Sequence, residues 1–261
     1  MPAMNTETKV APWTLISLRP RGQHAPLRRA AKAAGARVIA LSPWALQARG
    51  DAATRATLEA ALAAERVVFS SPAAVQAAAR LVNLAAPHPG QWLAVGAGTA
   101  AALNRQGAQD IAAPARMDSE GLLALPALAD LHGLRAGLVT APGGRGVIAQ
   151  TLAQRGAELL RANVYARQPL ALAPRTLQRL RRAAGPWVLA LSSGEALALL
   201  LARLPDDLQA PLRAAIVVAA SERLAAQARA AGFAQVRVAA GPLPGQLVAA
   251  AHAALIPPAS S

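Results

Sequence analysis

The sequence predicts an α/β protein of two similar lobes, each a mainly parallel sheet flanked by helices. Three observations lead there. Apolar runs of strand length alternate with helical patterns along the chain, as in folds built on parallel sheets. A strand–turn–helix–Gly-Ala–strand cassette occurs twice, at Leu15–Trp44 and Leu138–Arg167, and its helix-ending pairs, Gly35-Ala36 and Gly156-Ala157, stand 121 residues apart. Two further anchors repeat in the same order: Ser70-Ser71 returns as Ser192-Ser193 after 122 residues, and Gly107 as Gly232 after 125. Duplicated α/β units of this kind build two lobes with a cleft between them.

Taken in order, the opening cassette reads as strand, Arg/Pro turn, helix and strand. A helix over Ala52–Ala64 follows, then a buried strand at Val67–Phe69. Ser70-Ser71-Pro72 is a turn into a helix at Ala73–Leu81, with serine before the helix and proline in its first turn as favourable capping chemistry. Trp92–Pro114 holds a strand, a glycine turn, a helix stopped by Gly107 and a short strand. Ser119–Leu131 reads as a helix with Ser119 as N-cap. The second cassette begins at Leu138 with a Pro142-Gly-Gly-Arg145 turn. Trp187–Leu204 then mirrors Arg66–Val82, Ala215–Pro242 mirrors Trp92–Pro114, and the helix Pro244–Ala254 mirrors Ser119–Leu131.

Composition narrows the class. Apolar residues make up 54% of the chain, enough for a sizeable core, while aromatics are only 3%, so Ala, Leu and Val do the packing. Cysteine is absent, which excludes disulfides and thiolate chemistry. Met1–Pro12 lacks the apolar run of a signal peptide, and no stretch offers the roughly 20 apolar residues of a membrane span. A soluble cytoplasmic protein with no membrane partner is the expectation. The net charge of +14 is nearly all arginine, with Lys9 and Lys32 the only lysines. It fits an anionic partner, and it fits equally an arginine-rich composition spread over solvated helix faces. No basic block carries interleaved aromatics, which argues against nucleic acid.

Open parallel sheets bind ligands beyond the carboxyl ends of their strands. Here those ends carry Arg19-Pro20, Ser70-Ser71, Gly96–Thr99, Pro142–Arg145, Ser192–Gly194 and Ala220–Arg223. These are small, polar or basic residues rich in N–H groups at helix N-termini, suited to carboxylates or phosphates. Gly96-Ala-Gly98-Thr-Ala-Ala101 fits the dinucleotide pattern G-x-G-x-x-A. It sits mid-chain, however, and the nearest acid, Asp110, comes too early for a ribose contact. Pro142–Arg145 lacks the Gly-Lys-Ser/Thr ending of a phosphate loop. The four histidines (His24, His88, His132, His252) have no ligand spacing, so no metal is expected. No G-x-S-x-G elbow surrounds Ser70, Ser71, Ser192 or Ser193, which read as caps or hydrogen-bond donors to a ligand. Tyr165, the only tyrosine, follows a strand with Arg161 and Arg167 nearby. It serves either as an interfacial residue, ring buried and hydroxyl bonded, or as an acid–base group.

These pieces in their order resemble the uroporphyrinogen-III synthase family. The likeness covers about residues 13 to 255 and rests on Leu18-Arg19-Pro20 with Gln23, Phe69-Ser70-Ser71 with Ala74-Val75, and Val95-Gly96 with Thr99 and Gly107. It continues through Ser119-Glu120-Gly121-Leu122-Leu123, Gly144-Arg145, Leu152, Gly156-Ala157, Val164-Tyr165-x-Arg167, Leu191-Ser192-Ser193 and Gly232. The sequence departs from the family at Ser221, where many members have glycine, and at Leu224, where the repeat calls for a partner to Thr99.

The resemblance implies two α/β lobes joined by a two-stranded connector, with the chain crossing twice. The lobes would be residues 13–36 with 170–256, and 44–160; the connector strands 37–43 and 161–169; and flexible tails 1–12 and 257–261. It implies cyclisation of the linear tetrapyrrole hydroxymethylbilane, with loss of water and inversion of ring D, without a cofactor. The substrate's eight carboxylates would account for the charge. Tyr165 would be catalytic, with Arg19, Ser70, Ser71, Gly96, Thr99, Ser119, Arg145, Ser192, Ser193 and Arg223 holding the substrate. The protein would be a monomer in transient contact with porphobilinogen deaminase. The alternative expectation is a two-lobed, non-catalytic small-molecule-binding protein.

Overall fold

The computed structural model describes residues 12–143 and 146–256. The expected tails, apart from Pro12, lie outside these, as does Arg145. In chain order the first elements are β1 (Trp13–Ser17), α1 (Ala25–Ala33), β2 (Ala36–Ala40), β3 (Trp44–Ala48), α2 (Ala52–Leu62), β4 (Arg66–Phe69), α3 (Pro72–Ala78), β5 (Gln91–Ala94) and α4 (Ala97–Arg105). Then come α5 (Ser119–Leu123), β6 (Arg135–Thr140), α6 (Val147–Gln154), β7 (Glu158–Asn163), β8 (Tyr165–Pro169) and α7 (Pro174–Arg181). The chain ends with β9 (Trp187–Leu191), α8 (Gly194–Arg203), α9 (Asp206–Arg213), β10 (Ile216–Ala219), α10 (Glu222–Ala230), β11 (Val236–Val238) and α11 (Pro244–Leu255).

The chain divides into two compact units. The first takes the described residues up to Ala45 and from Pro169 onward; the second is Leu46–Gln168. The first holds a five-stranded parallel sheet in the order β11-β10-β9-β1-β2, and the second a four-stranded parallel sheet in the order β5-β4-β6-β7. The two sheets are wired alike, down to the register. Ile16 lies opposite Leu189 and Ile39, and Leu189 opposite Val217. Gly137 lies opposite Val67 and Leu160, and Val67 opposite Trp92. Ile16 to Gly137 and Ile39 to Leu160 are each 121 residues, Val67 to Leu189 is 122, and Trp92 to Val217 is 125. These are the offsets of the sequence repeat. The four glycines that stop the repeated helices, Gly35, Gly107, Gly156 and Gly232, all have positive φ (71°, 83°, 87° and 87°), the left-handed C-terminal geometry that favours glycine.

Each unit is therefore a hybrid. The first joins the cassette of one copy (β1-α1-β2) to the remainder of the other (α7-β9-α8-β10-α10-β11). The second joins α2-β4-α3-β5-α4 to the later cassette, β6-α6-β7. A single cut near residue 132 would part β1 from β9, its hydrogen-bonded neighbour.

The crossing strands differ from expectation. Residues 36–40 pair with β1 from Trp13↔Ala36 to Ser17↔Ala40, so the first part of the expected connector 37–43 is an edge strand. Likewise residues 158–163 are the edge strand β7. The two-stranded sheet is made by β3 and β8. Leu170 N–H donates to the Pro43 carbonyl at one end and Arg49 N–H to the Val164 carbonyl at the other, so the strands run antiparallel. Ala36–Ala40 is in register with all five residues of β1, so the chain leaves that sheet only after residue 40.

Two smaller expectations also change. The helix expected at Ser119–Leu131 stops at Leu123 and resumes as a 3-10 turn at Pro126–Leu128. Pro126 holds the preceding Leu125 extended (ψ 134°). The strand expected before Pro114 is reduced to a single bridge, Leu93↔Ala112.

Alternation of side chains along the second unit's strands feeds two apolar layers. Val67, Phe69 and Val139 join Val75, Trp92, Leu103 and Tyr165 on one face, while Val68 and Leu138 join Leu93, Leu122, Leu128 and Leu152 on the other. Gly137 lets α2 lie close on β6, since a Cβ there would fall 1.9 Å from the Ala61 carbonyl oxygen. In the first unit Trp13, Leu15, Leu27, Val188, Val218 and Leu247 form the corresponding core. Among the described residues no helix is long and apolar enough to cross a membrane, and no group of His, Cys, Asp and Glu could hold a metal ion.

Candidate functional site

In the second unit the carboxyl ends of β4 and β6 lie side by side and open onto a cavity of about 220 Å³. Both serines after β4 are tied into the frame. Ser70 N–H continues the ladder to the Val139 carbonyl (3.1 Å), and its hydroxyl donates to Thr140 Oγ1 at 2.8 Å. Ser71 is extended (φ −169°, ψ 159°) and caps α3, its Oγ accepting Ala74 N–H at 3.1 Å. The same Oγ lies 3.2 Å from the Tyr165 hydroxyl. Tyr165 is only 6% exposed, its ring in the apolar layer with Phe69, Val75 and Val139. This is the amphipathic placement expected of a tyrosine at a wet edge, body buried and oxygen at the cavity.

Two arginines complete the wall. Arg161, on β7, donates from Nη2 to the Ala141 carbonyl (3.1 Å) and from Nε to Asn163 Oδ1 (3.1 Å), bracing the turn beyond β6. Arg167, on β8, lines the same cavity. The first turn of α6 contributes Val147, Ile148 and Ala149, with no acidic residue in that turn and no side-chain cap. No carboxylate lines the cavity among the described residues. Two guanidinium groups and an uncapped helix N-terminus make this a place for anions.

Of the residues singled out from the sequence, the cavity brings together Tyr165, Ser70, Ser71 and Ser119. Arg145 falls outside the described residues, although Gly143 and Gly146 beside it line the wall. Ser119 is not the cap of its helix. Asp118 is, with Oδ1 accepting Gly121 N–H at 2.8 Å and Oδ2 held by Arg116 Nε at 2.6 Å. Gly96 is the N-cap of α4, and Thr99 is buried within that helix; neither lines the cavity, whereas Val95 does.

Arg19, Ser192, Ser193 and Arg223 belong to the first unit. Arg19 lies just beyond β1. Its Nη2 reaches the Pro242 carbonyl at 3.5 Å, its Nε is buried without a partner among the described residues, and burial lowers its pKa. Ser193 caps α8 through Ala196 N–H (3.3 Å), as Ser71 caps α3. Arg223 is exposed and donates to Gln227 Oε1 at 3.2 Å.

Sequence reasoning did not find the bracing contact of Arg161, nor a buried relay in the first unit. His24, 7% exposed, has Nδ1 2.9 Å from Ser17 Oγ and Nε2 2.7 Å from Ser42 Oγ. Burial above all, then the charges of Arg28 and Arg19, pushes its pKa down to about 4, so the imidazole is neutral at pH 7. It ties the end of β1 to the turn after β2. No local spacing signals it, because its partners stand 7 and 18 residues away.

No curated protein matches the chain by sequence. Among solved structures, a mutant uroporphyrinogen III synthase from Thermus thermophilus is similar over 93% of this chain and 98% of its own, with a TM-score of 0.60 and 19% identity. The uroporphyrinogen-III synthetase of Helicobacter pylori matches over 92% and 98%, with a TM-score of 0.60 and 12% identity. At such identities the likeness is one of fold, two α/β units of parallel sheets flanked by helices. The profile of the family described as Uroporphyrinogen-III synthase HemD matches residues 25–249, nearly the whole described chain, and this protein belongs to that family of enzymes.

Proposed function

We propose that the protein cyclises hydroxymethylbilane to uroporphyrinogen III, losing one water and inverting ring D, with Tyr165 as the group that acts on the departing hydroxyl. The observation that carries this reading is the cavity that the lone tyrosine lines with Arg161 and Arg167 and, among the described residues, with no carboxylate. Loss of the terminal hydroxyl leaves an azafulvene electrophile. Ring D attacks it through its substituted carbon, and the resulting spiro intermediate opens and recloses with that ring reversed. The net change is redox-neutral, so its balance needs no oxidant or reductant. Because the bare substrate also closes to the uninverted isomer, control of geometry is the enzyme's main task.

A cavity of about 220 Å³ is smaller than the roughly 300 Å³ at which drug-sized ligand sites begin. In this reading it takes one pyrrole ring with its acid side chains rather than the tetrapyrrole. Arg161, Arg167 and the α6 N-terminus hold those carboxylates. Arg19, Gly96, Thr99, Arg145, Ser192, Ser193 and Arg223 remain proposed contacts for the others. Porphobilinogen deaminase supplies the substrate and is the proposed transient partner.

The test is a coupled assay in which porphobilinogen deaminase generates hydroxymethylbilane in the presence of this protein, with the oxidised porphyrins separated by isomer. Predominant isomer III is the expected result. Isomer I alone, from a folded sample, overturns the reading and leaves a small-molecule-binding protein in its place.

A further inference from the structure

We infer that Ser71 is a positioning residue for Tyr165 rather than a contact for the substrate; the inference rests on the proposed role of that tyrosine. A serine hydroxyl offers one hydrogen and two lone pairs. One lone pair of Ser71 is taken by Ala74 N–H at 3.1 Å, which fixes the oxygen at the N-terminus of α3. The Tyr165 hydroxyl stands 3.2 Å away, on a ring held in the apolar layer and 6% exposed, so its oxygen is fixed as well. Only the two hydrogens are free to choose.

If the phenol donates to Ser71, its proton is occupied. If Ser71 donates to the phenol oxygen, the phenolic hydrogen is turned away from Ser71 toward the cavity that both residues line. The neighbouring hydroxyl does not compete, because Ser70 donates to Thr140 Oγ1 at 2.8 Å. With Ser71 as the donor, the Ala74 amide, Ser71 and Tyr165 form a directed chain ending at the reacting group, and this is the arrangement assigned to turnover.

During turnover the phenolic proton passes to the departing hydroxyl oxygen as the C–O bond breaks, its electron pair leaving with water. Ser71 then solvates the phenolate. The proton released when the last pyrrole carbon recovers its aromaticity returns to the phenolate, which closes the balance.

The test is a double-mutant cycle on the full chain with Ser71→Gly, Tyr165→Phe and both together, assayed for kcat and KM of isomer III formation. Glycine is chosen because it keeps most of the helix-capping preference while removing the hydroxyl. Ser71→Gly is expected to lower kcat about tenfold with KM within twofold, a loss confined to the transition state. It should add no further loss in the Tyr165→Phe background, and Ser71→Thr should restore the rate. An equal loss from Ser71→Gly in both backgrounds overturns the inference alone and returns Ser71 to the substrate or to the fold. A Tyr165→Phe enzyme at full rate removes the tyrosine's role, and this inference falls with it.

Discussion

The two units of this protein share the order and register of four equivalent strands and a matching pair of serine caps, Ser71 and Ser193, yet different side chains stand at equivalent places. Nine residues after the helix-stopping glycine, the first unit has Trp44 and the second Tyr165. Where β7 carries Arg161, β2 carries Ala40, and where β6 ends in Thr140, the first unit has Arg19. Duplication thus supplied the frame twice: amides at strand ends, capped helices, left-handed glycines. Among the described residues, a tyrosine shares a cavity wall with two arginines in only one unit. The first copy has instead buried a histidine relay and a desolvated arginine. A shared backbone does not carry the same side chains at equivalent places, and chemistry is set by those side chains rather than by the fold.

The sharpest way to break the comparison is to treat the equivalent aromatics alike. Tyr165→Phe should lower kcat by about 10²-fold, the lower range for a lost general acid, with little change in melting temperature. Trp44→Phe should instead lower the melting temperature and leave kcat within a few-fold. Similar kinetic losses from both would end the claim that the units differ in chemistry.

The second test lies at another equivalent pair, Gly137 and Ile16. Gly137→Ala drives a Cβ into the Ala61 carbonyl, at 1.9 Å if nothing moves, and should cost roughly 3 kcal/mol by overpacking. Urea unfolding should show a lower midpoint. Ile16→Val at the matching position removes one buried methyl group and should cost only about 1 kcal/mol.

A third test separates the units by pH. His24 has a folded pKa of about 4 against 6.5 in the unfolded chain, so the unfolded state binds more protons between those values and stability rises with pH. The contribution is complete above about pH 6.5 and is lost progressively as pH falls toward 4. Neither His88 nor His132 of the second unit is buried. Thermal melts between pH 7 and 5 should therefore slope downward, and His24→Gln should flatten the slope. An unchanged slope would show that the relay is not its source.

The smallest expected effect concerns the paired caps. Ser193→Ala should cost about 1 kcal/mol through the lost Ala196 contact, the same as Ser71→Ala loses at Ala74. The kinetics should divide, with Ser193→Ala acting on KM and Ser71→Ala on kcat.

Much of the frame was legible because a repeat converts spacing into register. Offsets of 121, 122 and 125 residues read from glycines and serines are the offsets between equivalent strands of the two sheets. Ser71 and Ser193 were recognisable as caps because capping is local, set by the residue next to a helix. Asp118 and Ser119 are adjacent residues of types that both cap well, so local chemistry does not choose between them. The crossing point was not legible. Ala36–Ala40 and Trp44–Ala48 both look like strands, and an apolar pattern names an element without naming its partner. Arg161 holding the Ala141 carbonyl and His24 between two serines depend on where side chains meet in space, which no periodicity records.

The exchange of cassettes between copies has a consequence for synthesis. The second unit is one uninterrupted stretch, so a chain leaving the ribosome completes Leu46–Gln168 while the first unit still lacks β9, β10 and β11. Until Trp187 arrives to pair beside Thr14, β1 is an unfinished strand with one neighbour, and its exposed ladder groups invite association with other chains. The order of translation thus makes the unit that carries the tyrosine the earlier to mature. Amide hydrogen labelling of stalled nascent chains should find β4 and β6 protected before β1 and β9.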